Sequence, residues 1–211
     1  GVYFKNAFCT TSLCSPSRAA ILTGLHSHAN GVTNLSQSIR SDVWVFPPAI
    51  HEAGYQTALF GKWHVGNTPT GFDHWRILPG QGSYWNPDLN GPEGAEKHEG
   101  YATDILTDLA LAWLKQRDAG KPFLLMLHHK APHRNWMPPP RYYRWLADVK
   151  IPEPATLFDT YDGRATPARN QKMEIGRDMT LPSDLKRSEE RRVGKEGRAR
   201  WSPEHANKTT T

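Results

Sequence analysis

Cysteine is scarce in this chain of 211 residues. It holds two, Cys9 and Cys14, five positions apart. Two cysteines that close in one local segment exclude a disulfide framework of the kind that staples small secreted domains. Long hydrophobic runs are missing too. No apolar stretch approaches the ~20 residues that a membrane-spanning helix needs. No charged segment followed by an apolar one stands at the start, so no signal peptide is legible there. The chain opens on Gly1 rather than Met, and an upstream segment is expected. Hydrophobic residues make up only 37%, while Gly and Pro number 17 each. Eight Trp, seven Tyr and seven Phe nevertheless supply core material, which argues for a loop-rich globular domain rather than disorder. The formal net charge is +5, but residues 187–211 carry seven basic and four acidic groups. The basic balance belongs mostly to that tail, so no nucleic-acid partner is expected.

Residues 2–8, VYFKNAF, read as a short strand. Ser15 is expected to cap a helix with Pro16 in its first turn, where a missing N–H costs nothing. That helix runs through SRAAILTG to Gly24, a C′ residue. Val43, Phe46, Ala49, Ile50 and Ala53 recur at helical spacing, and Gly54 ends that helix. YQTALFG follows as a strand. Over 101–117, Ile105, Leu106, Leu109, Trp113 and Leu114 form the apolar stripe of the clearest helix, stopped by Gly120 and Pro122. PFLLMLHH, 122–129, suits a strand buried on both faces. Strand, helix, strand, helix, strand in this order predicts a layered α/β fold with mainly parallel strands. Residues 66–100 read as a Gly/Pro/Trp-rich excursion near a site. A short helix is expected at 141–148.

The polar residues gather at three strand exits. Cys14 and Arg18 open the first helix. Lys62 and His64 follow the second strand in GKWH, and Lys130 and His133 follow the third in HHKAPH. Strand C-terminal ends of an open α/β sheet converge on one rim, where sites are built. Cations and imidazoles from three exits, joined by the N–H groups of a helix N-terminus, imply a pocket for a tetrahedral oxyanion, sulfate or phosphate. Taken alone, Cys14 is a small buried hydrophobe, Lys62 a solvated loop lysine and His133 a loop histidine. Trp63 reads as packing, and Asp73 and His74 as structural.

CSPSR at 14–18 followed by LTG at 22–24 resembles the type I sulfatase signature. GKWHVG at 61–66 resembles the second signature of that family, and APH at 131–133 its third histidine segment. The resemblance covers about residues 2 to 180 and implies an alkaline-phosphatase-like fold. HHKAPHRNW and GYATDILTDL look most like carbohydrate sulfatases, especially those acting on 6-O-sulfated N-acetylglucosamine. The family's chemistry answers why a cysteine stands before Ser-Pro-Ser-Arg. A maturation enzyme, formylglycine-generating or anaerobic, oxidises it to formylglycine, whose hydrate is a geminal diol. One hydroxyl attacks sulfur; the other loses its proton and expels sulfate. The resemblance makes Cys14, so modified, the nucleophile and a metal ligand. Arg18 would hold the hydrate, Lys62 would bind a sulfate oxygen and His64 would orient the nucleophile. His133 would bind sulfate and protonate the leaving alcohol. The APH context selects His133 over His128 or His129. Lys130 is a candidate substrate contact. Asn135 and Trp136 would line a sugar subsite, with a surface loop as the equal alternative.

The resemblance also implies one Ca²⁺ ion, held by an early pair of aspartates and a later Asp-Asn pair. The first pair would precede Gly1 and the second would lie beyond residue 200. Most metal ligands are therefore expected outside this chain, which is expected to be an incomplete catalytic domain over residues 1–186 with little turnover by itself. Family members are usually exported, which implies a periplasmic or extracellular location. Residues 187–205, RSEERRVGKEGRARWSPEH, resemble the conceptual translation of a sequencing adapter. The tail 187–211 is expected to be read-through, the ordinary alternative being a basic solvated tail. Two other functions stay open at this point: a phosphonate or phosphate monoesterase of the same fold, and a non-catalytic glycan-binding relative.

Overall fold

The computed structural model describes residues 1–146, 148–152, 154–156, 159–173, 178–180 and 184. It divides into two compact units, Gly1–Pro132 and His133–Thr211. In the first unit, helices α1 (Cys14–Thr23), α2 (Ser27–Asn30) and α3 (Phe46–Glu52) precede strand β1 (Gln56–Lys62). Strands β2 (His74–Leu78), β3 (Asp88–Gly91) and β4 (Gly94–Lys97) follow, then helix α4 (Ala102–Gln116) and strand β5 (Phe123–His128).

The sheet has the order β4-β3-β2-β1-β5. Strand β1 pairs parallel with both β2 and β5, while β2–β3 and β3–β4 are antiparallel. Alternation along β1 builds the two layers. Leu59 packs with Ala19, Leu22, Val32, Ile39, Trp63 and Val65, on the face covered by α1 and α3. Ala58 and Phe60 point the other way, to Leu106, Ala110 and Trp113 of α4 and to Leu78 and Leu89. Trp63 is core material, as expected. Its Nε1 donates to Asn67 O at 2.6 Å and its ring meets Phe72 edge to face.

Several expectations need correction. Residues 2–8 form no strand, and Val2, Tyr3, Phe4 and Phe8 are exposed. β-branched and aromatic composition makes a strand only where a neighbour completes the ladder, and among the described residues none does. The excursion at 66–100 contributes three strands to the sheet. Asp88-Leu89-Asn90-Gly91 and Gly94-Ala95-Glu96-Lys97 have poor strand composition and are held by pairing and by Arg76, which bridges Glu93 at 3.1 Å and Glu96 at 3.3 Å. Helix α1 starts at Cys14 with Leu13 as its N-cap. Ser15 therefore lies inside the first turn, buried, and caps nothing. Strand β5 is only half-buried, because it lies at the edge of the sheet. Among the described residues of 141–148 there is a 3₁₀ turn at Pro140–Tyr142 followed by turns, and no α-helix. The tail 187–211 lies outside the described residues.

Two glycines are dictated by geometry. Gly24 adopts φ 69° at the C-terminus of α1, with its N–H on Ala20 O at 2.9 Å. Beside it, Thr23 Oγ1 donates to Ala19 O and accepts from Leu25 N. The Thr-Gly pair of the first signature is thus a helix stop. Gly61 has φ 109°, and a Cβ there would stand 2.0 Å from the carbonyl oxygen of His128 on β5. Only glycine lets the two strands approach at the point where their ends build the site.

The second unit contains the 3₁₀ turn and helix α5 (Thr166–Arg169). Arg134 grips Asp184 through Nε at 2.6 Å and Nη2 at 2.8 Å, and Asp184 also accepts from Thr180 N.

Leu106→Ala in the full-length gene product should lower its stability by about 2–5 kcal/mol, through lost burial and a residual cavity. Gly61→Ala should cost more than ~2 kcal/mol, because the clash is with backbone. Denaturant unfolding monitored by Trp fluorescence measures both.

Candidate active site

The N-terminal turn of α1 faces the C-terminal end of the central strand. Cys14 and Arg18, four residues apart, share one face of α1. Lys62 is the last residue of β1 and is 3% exposed. Its Nζ lies 3.6 Å from Cys14 Sγ and 2.5 Å from Oε1 of Gln81. Gln81 follows β2 in the turn Pro79-Gly80-Gln81-Gly82, closed by Gly82 N on Pro79 O at 2.9 Å. The Gln81 carbonyl accepts from Lys130 Nζ at 3.0 Å, and that ammonium also stands 4.9 Å from the centroid of the Tyr84 ring.

Arg18 reaches past Cys14 to the strand ends. Its Nη1 donates to Lys62 O at 2.5 Å and lies 3.1 Å from Nδ1 of His128, the last residue of β5. His128 Nδ1 is also 3.2 Å from Lys62 O. A guanidinium only donates, so Nδ1 accepts from Arg18 and the ring proton belongs on Nε2.

Burial governs the charges here. It pulls Lys62 below the usual ammonium range; Arg18 adds to that, while Cys14 opposes it. Burial lowers Lys130 too, with repulsion from Lys62 as the second cause. Arg18 is lowered by burial and held up by Cys14. His128 is lowered first by burial and then by the Arg18 charge, which keeps it neutral.

The structure therefore brings Cys14, Arg18 and Lys62 together. His64 lies two residues beyond Lys62 on the same strand exit, half-buried, with φ 55°. His133 opens the second unit, its Nδ1 facing the carbonyl of Arg134. Asn135 and Trp136 lie in that unit as well. Asp73 is structural, as expected, and His74 opens β2 with its side chain exposed. Asp73 accepts from Thr57 N at 2.8 Å and pairs with His51 at 2.8 Å. Cys9 and Cys14 are both free thiols.

The sulfatase family model matches residues 1–167. An N-acetylglucosamine-6-O-sulfatase of Bacteroides thetaiotaomicron is 49% identical over 191 residues, covering 88% of this chain and 34% of that protein. The chain belongs to the sulfatase family. The human N-acetylglucosamine-6-sulfatase is 32% identical, over 72% of this chain and 32% of that one. The solved structure of BT4656 in complex with its substrate D-glucosamine-2-N,6-O-disulfate matches with a TM-score of 0.79 at 46% identity. That match covers 91% of this chain and 40% of the other. The chain spans about a third of the length of the curated relatives it matches.

Two residues of this sulfatase pocket escape the sequence reading. His128 sits in the double histidine that ends the apolar run, but the APH context draws attention to His133. Gln81 carries no motif at all. Its place follows from the turn after β2, within the Gly/Pro/Trp-rich stretch that reads as an excursion rather than as part of the sheet. Cys14 fits the formylglycine modification of the family. It is half-exposed at a helix N-terminus, with a lysine donor 3.6 Å away. A complete Ca²⁺ site does not fit. Among the described residues no three His, Cys, Asp or Glu side chains converge as ligands.

A neutral buried imidazole makes stability pH-dependent. His128 titrates below its ordinary value of 6.5 when folded, so the unfolded chain binds the extra proton first as pH falls. Its contribution is fully present above 6.5 and is lost on acidification below that value. His128→Gln should flatten the decline in denaturation midpoint as pH falls below 6.5, relative to wild type.

Proposed function

We propose that the chain forms part of the catalytic domain of a sulfuric ester hydrolase that desulfates a carbohydrate, with 6-O-sulfated N-acetylglucosamine as its substrate. One observation carries this reading: Cys14 Sγ and Lys62 Nζ meet at 3.6 Å where a helix N-terminus faces the end of the central strand, with Arg18 on the same helix face. Fixed donors in a site shielded from water stabilise negative charge where it develops. The sugar follows the substrate of the similar solved structure and the names of the similar sulfatases.

The hydrated aldehyde made from Cys14 supplies two hydroxyls on one carbon, one to displace the alcohol from sulfur and one to release the sulfate. The protein's other groups bind and orient. An ammonium has three N–H groups. Lys62 directs one at Gln81 and one at position 14, which leaves one for a sulfate oxygen. Arg18 uses both Nη1 protons on Lys62 O and His128, leaving Nε and Nη2 to hold the hydrate. His64 would orient the nucleophile and His133 would protonate the leaving alcohol. Maturation requires a formylglycine-generating or anaerobic enzyme as a partner. We assign an exported location, which follows the extracellular sulfatases among the similar proteins; separately, no helix among the described residues is long and apolar enough to cross a membrane. Oxygen ligands for Ca²⁺ would have to come from beyond the described residues. Residues 187–211 we assign as read-through outside the domain. Resequencing the locus tests that, since an uninterrupted gene through Leu185 into the same tail removes the idea.

The full-length gene product, co-expressed with a maturation enzyme, should show formylglycine at position 14 by peptide mass spectrometry. It should release sulfate from 6-O-sulfated N-acetylglucosamine and from 4-nitrophenyl sulfate, and work poorly on 4-nitrophenyl phosphate. Cys14→Ala should abolish turnover, and Lys62→Ala should lower kcat/KM by about 10²–10³-fold. An unmodified thiol after co-expression, or a preference for the phosphate ester, overturns the reading.

A further inference from the structure

Two buried ammonium groups face one uncharged residue in the first unit. Lys62 donates to the side-chain oxygen of Gln81, and Lys130 donates to its backbone oxygen. Like charges at this depth repel, and each needs an acceptor to remain. A carboxylate would supply one, but it would also neutralise the pocket and repel an anionic substrate. An amide accepts from both lysines without adding charge. The chain secures this geometry locally. Gly80 and Gly82 take φ values of 54° and 69°, and a Cβ on Gly82 would stand 2.9 Å from Leu78. The turn is therefore tightly prescribed, and Gln81 cannot slide along it.

We infer that Gln81 is a positioning residue: its side-chain oxygen aims the Lys62 ammonium at position 14 and its backbone oxygen keeps Lys130 beside it, so that the pocket presents two oriented cations to an oxyanion. The inference rests on the oxyanion-pocket reading above and adds to it a residue that acts through Lys62 and Lys130. Lys62 has four rotatable bonds. Without its side-chain acceptor the ammonium loses its direction, at the end of the strand where direction matters most.

The test uses the full-length gene product, with inorganic sulfate as the probe in titration calorimetry. Gln81→Met preserves length and removes the side-chain acceptor. It should weaken sulfate about tenfold. In selectively ¹⁵N-lysine-labelled protein it should shift the Lys62 ammonium resonance, assigned by its loss in Lys62→Met. Lys62→Met should weaken sulfate too, and the double variant should bind no worse than Lys62→Met alone, because the amide acts through the lysine. A purely structural role would instead give additive losses and leave the Lys62 resonance in place. Sulfate affinity unchanged in Gln81→Met overturns the inference, as do an additive loss in the double variant and failure of the wild type to bind sulfate. Turnover of 4-nitrophenyl sulfate by the wild type reports separately on the proposed function.

Discussion

A lysine ammonium buried at the end of the central strand is the constraint to which the rest of this site answers. Lys62 is 3% exposed, and a charge at that depth persists only if its N–H groups are occupied. The chain surrounds it from three directions. Helix α1 brings Cys14, the turn after β2 brings the Gln81 amide, and Lys130 shares that same residue. The Lys62 carbonyl is tied down as well, by Arg18 from the helix. One residue therefore links the helix N-terminus, the central strand and the second strand exit.

The layers serve that junction. Alternation along β1 sends Leu59 to one apolar cluster and Ala58 and Phe60 to the other, so both faces of the central strand are covered. With both faces and both edges occupied, its terminal residue has nowhere to point but the rim. Gly61 tightens the junction further. It lets the carbonyl of His128 come within a distance no side chain would tolerate, which places the imidazole against Arg18. The glycine of GKWH is a packing requirement with a chemical consequence.

Much of this was legible in the residues. Helix α4, strand β1 and strand β5 carry strong periodicity or continuous apolar runs, and they stand where those patterns place them. Cys14, Arg18 and Lys62 are marked by motif and by strand exit, and they meet. The errors about strands share one cause. Residues 2–8 have strand composition and no ladder, whereas 88–97 have loop composition and a ladder. In both, pairing with a neighbour decides, and a neighbour distant in sequence leaves no local trace. Strand β5 reads as fully buried because its apolar run says nothing of its position at the sheet edge.

The sequence by itself determined the chemistry: which groups are cationic, which cysteine stands in a sulfatase signature, and which glycine stops the first helix. Those properties belong to single residues and short spacings, and they survive without a fold. Only the tertiary structure decided who meets whom. His128 gains its place beside Arg18, and Gln81 its place between two lysines, because parallel strands far apart in the chain end at one rim. Contacts between residues so remote depend on sheet order and register, which no local pattern encodes.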